Sequence, residues 1–488
     1  MRILIISPKI GTIQRQTIIP LGMLSVATHL KNCGHTVTVC DRIVDKRKIG
    51  DLLRNFKPDF VGVSMMYVRS YRDAVNCSLA AKSCGAKVVW GGHLVTQTPE
   101  ATLKEDCVDY IVTGEGEFTW QALLECLSSD AALDNVKGIG YKNNGKIHIN
   151  PEREFADPAD LPVLDFDILR PEPYFQSSFS CKKMLYMYAS KGCPGHCAFC
   201  FNPEYNKSCC RRRPIENVIK EIRCVVEEHG ADGIYFADEL WCGNNEELVR
   251  FCNAYRDSGI NFVWGCQMRV GIIAAENFKL MYDCGCRWIF FGVESGSTEK
   301  LKEMHKGISL DNVRQAAQNA SDAGIVAITS FIVGFPGETE QQLRDTAVFA
   351  SSLDCAMLFC SFFSIIIGSE YHRALVAQGK LKKVERLSDI LDYPSGEYLK
   401  YNFTEVPSRD LKVVYASLMW HSFTKKGTSP EKVKHSFALK VMAEAVRGLF
   451  SQGILRAPLE AFILIRTFFD IVFNLTCFPG IRKKYGLK

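Results

Sequence analysis

Cys193, Cys197 and Cys200 fall within one short segment, Lys191-Gly192-Cys193-Pro194-Gly195-His196-Cys197-Ala198-Phe199-Cys200. Thiolates are the usual ligands of iron–sulfur clusters, and a 4Fe–4S cluster normally takes four of them. Three thiolates in a loop wrapped by Gly and Pro would leave one iron open to an outside ligand. A structural zinc site is the competing reading. It needs a fourth ligand and usually comes as paired C-x-x-C knuckles. His196 could serve, but no second knuckle follows, and the adjacent Cys209-Cys210 suits a tetrahedral site poorly. The chain carries 21 cysteines with no repeating framework, and Met1-Arg2 runs straight into the strand pattern Ile3–Ser7. With no secretory signal in view, the expectation is a cytoplasmic chain whose thiols stay reduced, so that clustered cysteines bind metal or catalyse.

The C-x-x-x-C-x-x-C spacing, with an aromatic before the last cysteine, resembles the radical S-adenosylmethionine (SAM) superfamily. The resemblance implies a cluster on these three thiolates and a SAM molecule that chelates the open iron through its amino and carboxylate groups. An electron from the cluster then cleaves the sulfonium to a 5′-deoxyadenosyl radical. Phe199 would pack near the adenine. Further candidates stand at the ends of later strand-like runs. Asp238 and Glu239 end the second, where the family contacts the SAM amino group; a helix N-cap is the plainer role. Arg269 ends the third and could pair with the SAM carboxylate, or be an ordinary surface arginine. Glu294 and Ser295, within Gly292-Val293-Glu294-Ser295-Gly296, end the fourth, where the family binds the ribose. Ile332, Gly334 and Gly337, within Ile332–Glu338, end the fifth, where glycines let the backbone approach the adenine.

These residues need a frame to hold them. Residues 1–150 alternate short β-branched runs (Ile3–Ile6, Thr36–Cys40, Phe60–Met66, Lys87–Trp90, Tyr110–Val112) with helical stretches such as Leu21–Lys31 and Ser70–Ser83. That alternation predicts an α/β domain with a doubly wound parallel sheet. Asn143-Asn144-Gly145 reads as a tight turn joining Gly138–Tyr141 to Lys146–Ile149. Residues 151–184 are rich in Pro, acids and aromatics and read as a linker that packs on its neighbours. From 185 to 370 six strand-like runs recur: Leu185–Ala189, Gly233–Ala237, Phe262–Met268, Trp288–Glu294, Ile328–Gly334 and Met357–Ile367. With helical stretches such as Glu216–His229 and Leu310–Ala323 between them, they predict a partial (β/α)6 barrel with its working face at the strand C-termini. Residues 371–488 read as a helical region that covers the barrel mouth.

The N-terminal part resembles the cobalamin-binding domains that precede some radical SAM barrels. The matching segments are Pro20-Leu21-Gly22, Val61–Ser64, Trp90-Gly91-Gly92-His93 with Pro99-Glu100, and Gly114-Glu115-Gly116-Glu117. Ser64, Gly91, Gly92, His93, Gly114 and Glu115 are its candidate contacts, at or just beyond strand ends where open α/β sheets bind ligands. The D-x-H-x-x-G motif is missing and the Pro8–Ile19 loop has no histidine, so cobalamin would be held without histidine ligation from below. His93 reads as a tail contact or a satisfied buried histidine. The bland alternative is a scaffold that binds nothing.

The two resemblances together imply a cobalamin-dependent radical SAM enzyme. The leading reading is a methyltransferase acting on an unactivated carbon or phosphorus, with a cyclase or ring-contraction enzyme as the second. A non-catalytic cobalamin sensor or carrier is the third. The family implies a small-molecule or lipid-soluble substrate and an electron donor such as flavodoxin or ferredoxin. A net charge of +5 gives no nucleic-acid footprint. Leu459–Phe478 is strongly apolar and is followed by Arg482, Lys483, Lys484 and Lys488. It reads as a buried helix with a solvated basic tail, or as a peripheral contact with the inner face of a membrane.

Overall fold

The computed structural model describes residues 1–10, 17–178, 180–393, 399–424 and 477–487. Two sheets organise it. The first contains β1 (Arg2–Ser7), β2 (Thr36–Asp41), β3 (Phe60–Ser64), β4 (Lys87–Gly91), β5 (Tyr110–Val112), β6 (Ile139–Asn143) and β7 (Lys146–Ile149), in the order β2-β1-β3-β4-β5-β6-β7. The first five are parallel. Ile3, Leu4, Ile5 and Ile6 are all buried in consecutive positions of β1. A central parallel strand covered by helices on both faces reads this way, because neither side of it meets water. The order reverses between β1 and β3, so the crevice of the sheet opens at their C-terminal ends. β6 and β7 add an antiparallel hairpin whose turn residues Asn144 and Gly145 have φ of 50° and 76°, the left-handed pair that a two-residue hairpin loop requires.

The second sheet is the barrel: β8 (Met184–Met187), β11 (Gly233–Phe236), β12 (Val263–Met268), β13 (Cys286–Glu294), β14 (Val326–Val333) and β15 (Met357–Phe362). They run parallel in sequential order from β8 to β15. Between β8 and β11 a short antiparallel ladder, β9 (Ser190–Lys191) with β10 (Arg211–Arg212), closes a long loop. Alternate residues of β13 face opposite ways: Ile289, Phe291 and Val293 pack toward the helices, while Trp288 and Phe290 join Tyr186, Tyr235, Val263, Ile328 and Met357 from the other strands inside the barrel. Gly265 makes room there, since a side-chain carbon on it would lie 2.1 Å from the Trp288 ring.

Two straps tie the sheets together. In the first, Leu164, Phe166 and Tyr174 are buried, and the Tyr174 hydroxyl donates to Asp41 Oδ2 at 2.9 Å. The second follows β15. Phe363, Ile365, Leu375 and Leu381 pack with Phe335 at the barrel mouth, and Ile367, Leu387 and Ile390 are buried in the core of the N-terminal sheet. The region after residue 370 therefore does more than cover the barrel; it also runs back to the first sheet. The helix Ser408–Thr424 lies against β15.

Most of Leu459–Phe478 lies outside the described residues. Among the described residues no helix is long and apolar enough to cross a membrane. The basic tail is not simply solvated. Lys484 pairs with Glu340 and Asp410, and the buried Tyr485 donates to Asp410 at 3.1 Å.

Candidate functional site at the cysteine loop

The loop from Gly192 to Cys210 leaves the C-terminal end of β8 and carries the three cysteines. Gly192 has φ +85°, and a side-chain carbon there would meet the Cys209 carbonyl at 2.2 Å, so only glycine fits. Asn202 ties the loop to itself: its Oδ1 accepts from Cys193 N at 3.0 Å and its amide donates to the Cys193 carbonyl. The Gly195 and Asn202 backbone N–H groups each point at a sulfur, Cys193 Sγ and Cys200 Sγ, at 3.4 Å. Such donors stabilise a thiolate and tune a cluster's potential. Gly195 stands between thiols: a carbon added to it would lie 3.4 Å from Cys193 Sγ and 3.9 Å from Cys197 Sγ.

Among the described residues, no three His, Cys, Asp or Glu side chains converge at the spacing of a single metal ion. Zinc ligands sit at about 2.0–2.3 Å from one ion; a four-iron cluster is larger and needs its thiolates further apart. His196, the possible fourth zinc ligand, instead lies 3.0 Å from the Ser208 hydroxyl. Three thiols on one loop, with Cys193 and Cys197 on either side of Gly195, are the ligand type of an iron–sulfur cluster. Burial pushes the Cys200 thiol up to about 11 and raises Cys197, with Lys306 and Arg269 opposing the rise.

Those two cations face the thiols from the barrel. Arg269, at the end of β12, would have Nη1 3.7 Å from a carbon on Gly195, and its Nη2 donates to the Lys306 and Gly307 carbonyls at 2.7 Å. Lys306 Nζ lies 2.7 Å from Glu294 Oε1 and 5.7 Å from the centre of the Phe199 ring. Phe199 in turn packs on Phe335 at 5.7 Å. Glu294 holds φ +73°, in the left-handed region that costs a non-glycine residue about 1–3 kcal/mol, at an irregularity in the β13–β14 register. Arg269, Glu294, Phe199 and the cysteines thus share one pocket wall. Lys306 belongs with them and was not among the sequence candidates. The sequence signal was Met304-His305-Lys306-Gly307, a turn after the fourth strand in which His305 and Gly307 both have positive φ.

The other barrel candidates divide. Glu239 accepts from Gly192 N at 3.1 Å and is otherwise exposed, so it remains at the mouth. Asp238 is buried and turned inward, accepting from Ala189 N at 2.9 Å and from the Ser190 hydroxyl. It organises the approach to the loop and is not offered to a ligand. Burial, with Glu239 beside it, lifts its carboxyl to about 7. Ser295 is fully buried and lies 2.9 Å from Thr346 Oγ1, on the helix side of the sheet. That corrects its reading as a ribose contact: Ser295 lies just past β13, after the left-handed Glu294, where the chain turns its side chain toward Thr346. Ile332 is half-buried at the mouth beside Phe335. Gly334 and Gly337 have φ +90° and +69°, and no atom stands within 4 Å of a carbon placed on Gly337. Glu338 closes this turn by accepting from Gly334 N at 2.7 Å, and burial lifts it to about 7.

At the first sheet, Ser64 and Gly91 end β3 and β4 as register partners. Gly92 has φ +99° with the Met65 backbone 3.0 Å from a carbon placed on it. Gly114, φ +68°, has open space beside it. His93 keeps a buried Nε2 with no hydrogen-bond partner, and burial lowers it to about 4, so the ring is neutral at ordinary pH. Bare backbone, open space and an unpaired polar atom suit the edge of a large ligand such as cobalamin. The ring of His93 packs edge-on against Phe201 of the cysteine loop at 4.6 Å, so the two sheets face each other here. Both oxygens of Glu115 are engaged by Lys191 and Arg211.

Two family models match: the radical SAM superfamily over residues 187–350 and the B12 binding domain over residues 12–124. An uncharacterised methyltransferase of Pyrococcus horikoshii is 31% identical over 342 residues, 69% of this chain and 73% of the relative. The chain belongs to the cobalamin-dependent radical SAM enzymes. The enzyme is also 26% identical to an anaerobic magnesium-protoporphyrin IX monomethyl ester cyclase of Rubrivivax gelatinosus, over 67% of the chain and 61% of the relative. Its fold matches the cobalamin-dependent SAM radical enzyme OxsB with aqua-cobalamin bound, with a TM-score of 0.72 at 17% identity over 99% of this chain and 79% of that one. The family's cofactors are a 4Fe–4S cluster, SAM and cobalamin, and the donor sets above fit all three.

Proposed function

We propose that the enzyme methylates an unactivated carbon or phosphorus of a small-molecule substrate. In this reading residues 1–150 hold cobalamin, 185–370 hold the cluster and SAM, 151–184 join them, and 371–488 finish the substrate pocket. When bound, the cluster and SAM supply a hydrogen-abstracting radical and cobalamin supplies the methyl group. The protein's part is to place these groups. Cys193, Cys197 and Cys200 hold the cluster. The Arg269–Lys306 pair offers positive charge to a carboxylate, Glu294 offers acceptors to the ribose, and Phe199, Ile332, Gly334 and Gly337 offer apolar and backbone surface to the adenine. Glu239 offers a carboxylate to an amino group. At the barrel mouth Phe199, Phe335 and Phe363 would help to exclude water around a radical.

The observation that carries this proposal is the contact between the two strand-end regions: the cysteine loop of the barrel packs on His93 and Gly114 of the first sheet, through Phe201 and through the Tyr205 hydroxyl, which donates to the Gly114 carbonyl at 3.2 Å. Two cofactors on facing loops share one space. The methyltransferase relative, at higher identity and coverage than the cyclase, supports methyl transfer over cyclisation. Anaerobic reconstitution with iron, sulfide, cobalamin and SAM, given candidate substrates, is expected to yield S-adenosylhomocysteine and 5′-deoxyadenosine with one added methyl mass per turnover. A product that instead loses hydrogen or carbon with no S-adenosylhomocysteine would replace this reading by the cyclase. A flavodoxin or ferredoxin is the electron donor this scheme needs.

A further inference from the structure

Lys191 and Arg211 are register partners in the β9–β10 ladder, side by side at the neck of the cysteine loop. Neither turns to the cysteines; both reach the first sheet. Lys191 Nζ lies 3.1 Å from Glu115 Oε1 and 3.2 Å from Glu117 Oε1. Arg211 Nη1 donates to both oxygens of Glu115, at 3.0 and 2.9 Å. The four side chains are between 3% and 20% exposed. Two cations and two anions make the group neutral. Burial pulls the Lys191 ammonium down, yet Glu117 and Glu115 outweigh it and hold it well above its ordinary range. Burial pushes Glu117 up, and Lys191 with the Ser25 hydroxyl outweighs that too. Both shifts favour the charged forms of Lys191 and Glu117 inside the protein.

A buried ion-pair network is weak evidence for stability, because apolar residues of the same volume commonly do as well or better. What it has, and an apolar contact lacks, is one permitted geometry: sliding by an ångström breaks charge-assisted hydrogen bonds whose length and direction are fixed. Among the described residues, the cysteine loop otherwise meets the N-terminal domain through aromatic packing, the Tyr205 hydroxyl and an exposed Lys207–Glu152 pair just after β7, contacts that tolerate small shifts. On the reading that the first sheet holds cobalamin, we infer that Lys191, Arg211, Glu115 and Glu117 are positioning residues that fix the spacing between the cluster loop and the cobalamin site. They bind neither cofactor; they set how far apart the two stand.

The test uses the full reconstituted enzyme with cob(II)alamin and the reduced cluster, both paramagnetic. Pulsed electron paramagnetic resonance reads their separation. Arg211→Gln removes two of the charge-assisted bonds and leaves the cysteines untouched. Glu115→Gln, which retains its size and its acceptor for Ala156 N, is the second variant should the first fold poorly. Both are expected to retain full iron and cobalamin content, to broaden the distance distribution, and to raise the ratio of 5′-deoxyadenosine to methylated product about tenfold or more, since a misplacement of 1 Å costs up to about a hundredfold in rate. Arg211→Lys is expected to recover part of the narrow distribution. An unchanged distance distribution in both variants overturns the proposal, and so does loss of either cofactor, which would make the network a support of the sites and not a spacer. Should the wild type transfer no methyl group, the distance measurement decides alone, so failure of the methyltransferase reading and failure of the spacer are distinguishable.

Discussion

The ends of the two sheets meet across one space with opposite chemistry. The barrel end is crowded with charge and sulfur: three thiols, Arg269, the Lys306–Glu294 pair and Glu239. The end of the first sheet offers bare backbone at Gly92 and Gly114 and one neutral, unpartnered imidazole at His93. On the function proposed above, the difference follows from ligand size. A small zwitterion such as SAM is recognised by a few charges placed at fixed points. A large macrocycle is recognised by area, and area needs side chains out of the way. The ionic network between the ends involves neither set: Glu115, a candidate ligand residue in sequence, is paired in the fold with Lys191 and Arg211.

The sharpest way to break this comparison is at the thiols. Cys193→Ala, Cys197→Ala or Cys200→Ala is expected to abolish the brown chromophore and all 5′-deoxyadenosine formation, while cobalamin still binds the first sheet. Loss of cobalamin absorbance as well would show that the two ends are not separable. Next in size, Gly92→Ala forces a side chain against the Met65 backbone in a left-handed conformation, at about 1–3 kcal/mol. It should weaken cobalamin binding about tenfold in spectroscopic titration and leave the iron content unchanged. Equal loss of both cofactors would put the glycine's role in the fold alone.

Lys306→Met leaves Glu294 buried without its main partner, a loss of about 3–5 kcal/mol of stability by the usual cost of breaking a buried pair, read by urea denaturation. Lys306→Met combined with Glu294→Met should regain much of that stability and still fail to bind SAM. A double variant that binds SAM normally would remove the pair from the pocket.

Comparable in size is a pH slope. The Asp238 carboxyl is held up to about 7 in the folded chain, above its unfolded value near 3.8, so its folded form prefers the proton. The associated stability is present below pH 4 and is lost as pH rises toward 7. Asp238→Asn should flatten that part of the stability curve; an unchanged curve would mean the carboxyl is already ionised in the fold.

Cobalamin held without a protein imidazole is the remaining check on the first sheet. The electron paramagnetic resonance spectrum of the cob(II)alamin complex is expected to show no nitrogen splitting from His93, whose ring is packed against Phe201. His93→Phe should leave the spectrum unchanged.

How much of this was legible in the sequence depends on the range of the interaction involved. The cysteine loop was readable because its three thiols lie within one turn-rich segment, and eleven parallel strands across two sheets were readable because they carry short runs rich in β-branched and aromatic residues, most of them bounded by turns. The Asn144-Gly145 hairpin was readable because left-handed φ at two adjacent residues leaves few other choices. Tertiary structure alone decided the rest. Glu294 and Ser295 are neighbours in sequence, yet the first pairs with Lys306 beside the cysteine loop and the second with Thr346 on the helix side. Asp238 and Glu239, just past β11, also part: the first is buried against Ser190 and the second is exposed. Lys306 joins the pocket from a turn twelve residues beyond Glu294, and Glu115 meets Arg211 across 96 residues of chain. Residue type and spacing determine which atoms can do chemistry; whether a carboxylate faces a ligand or an ion-pair partner is set by what a distant segment brings against it, and nothing local encodes that.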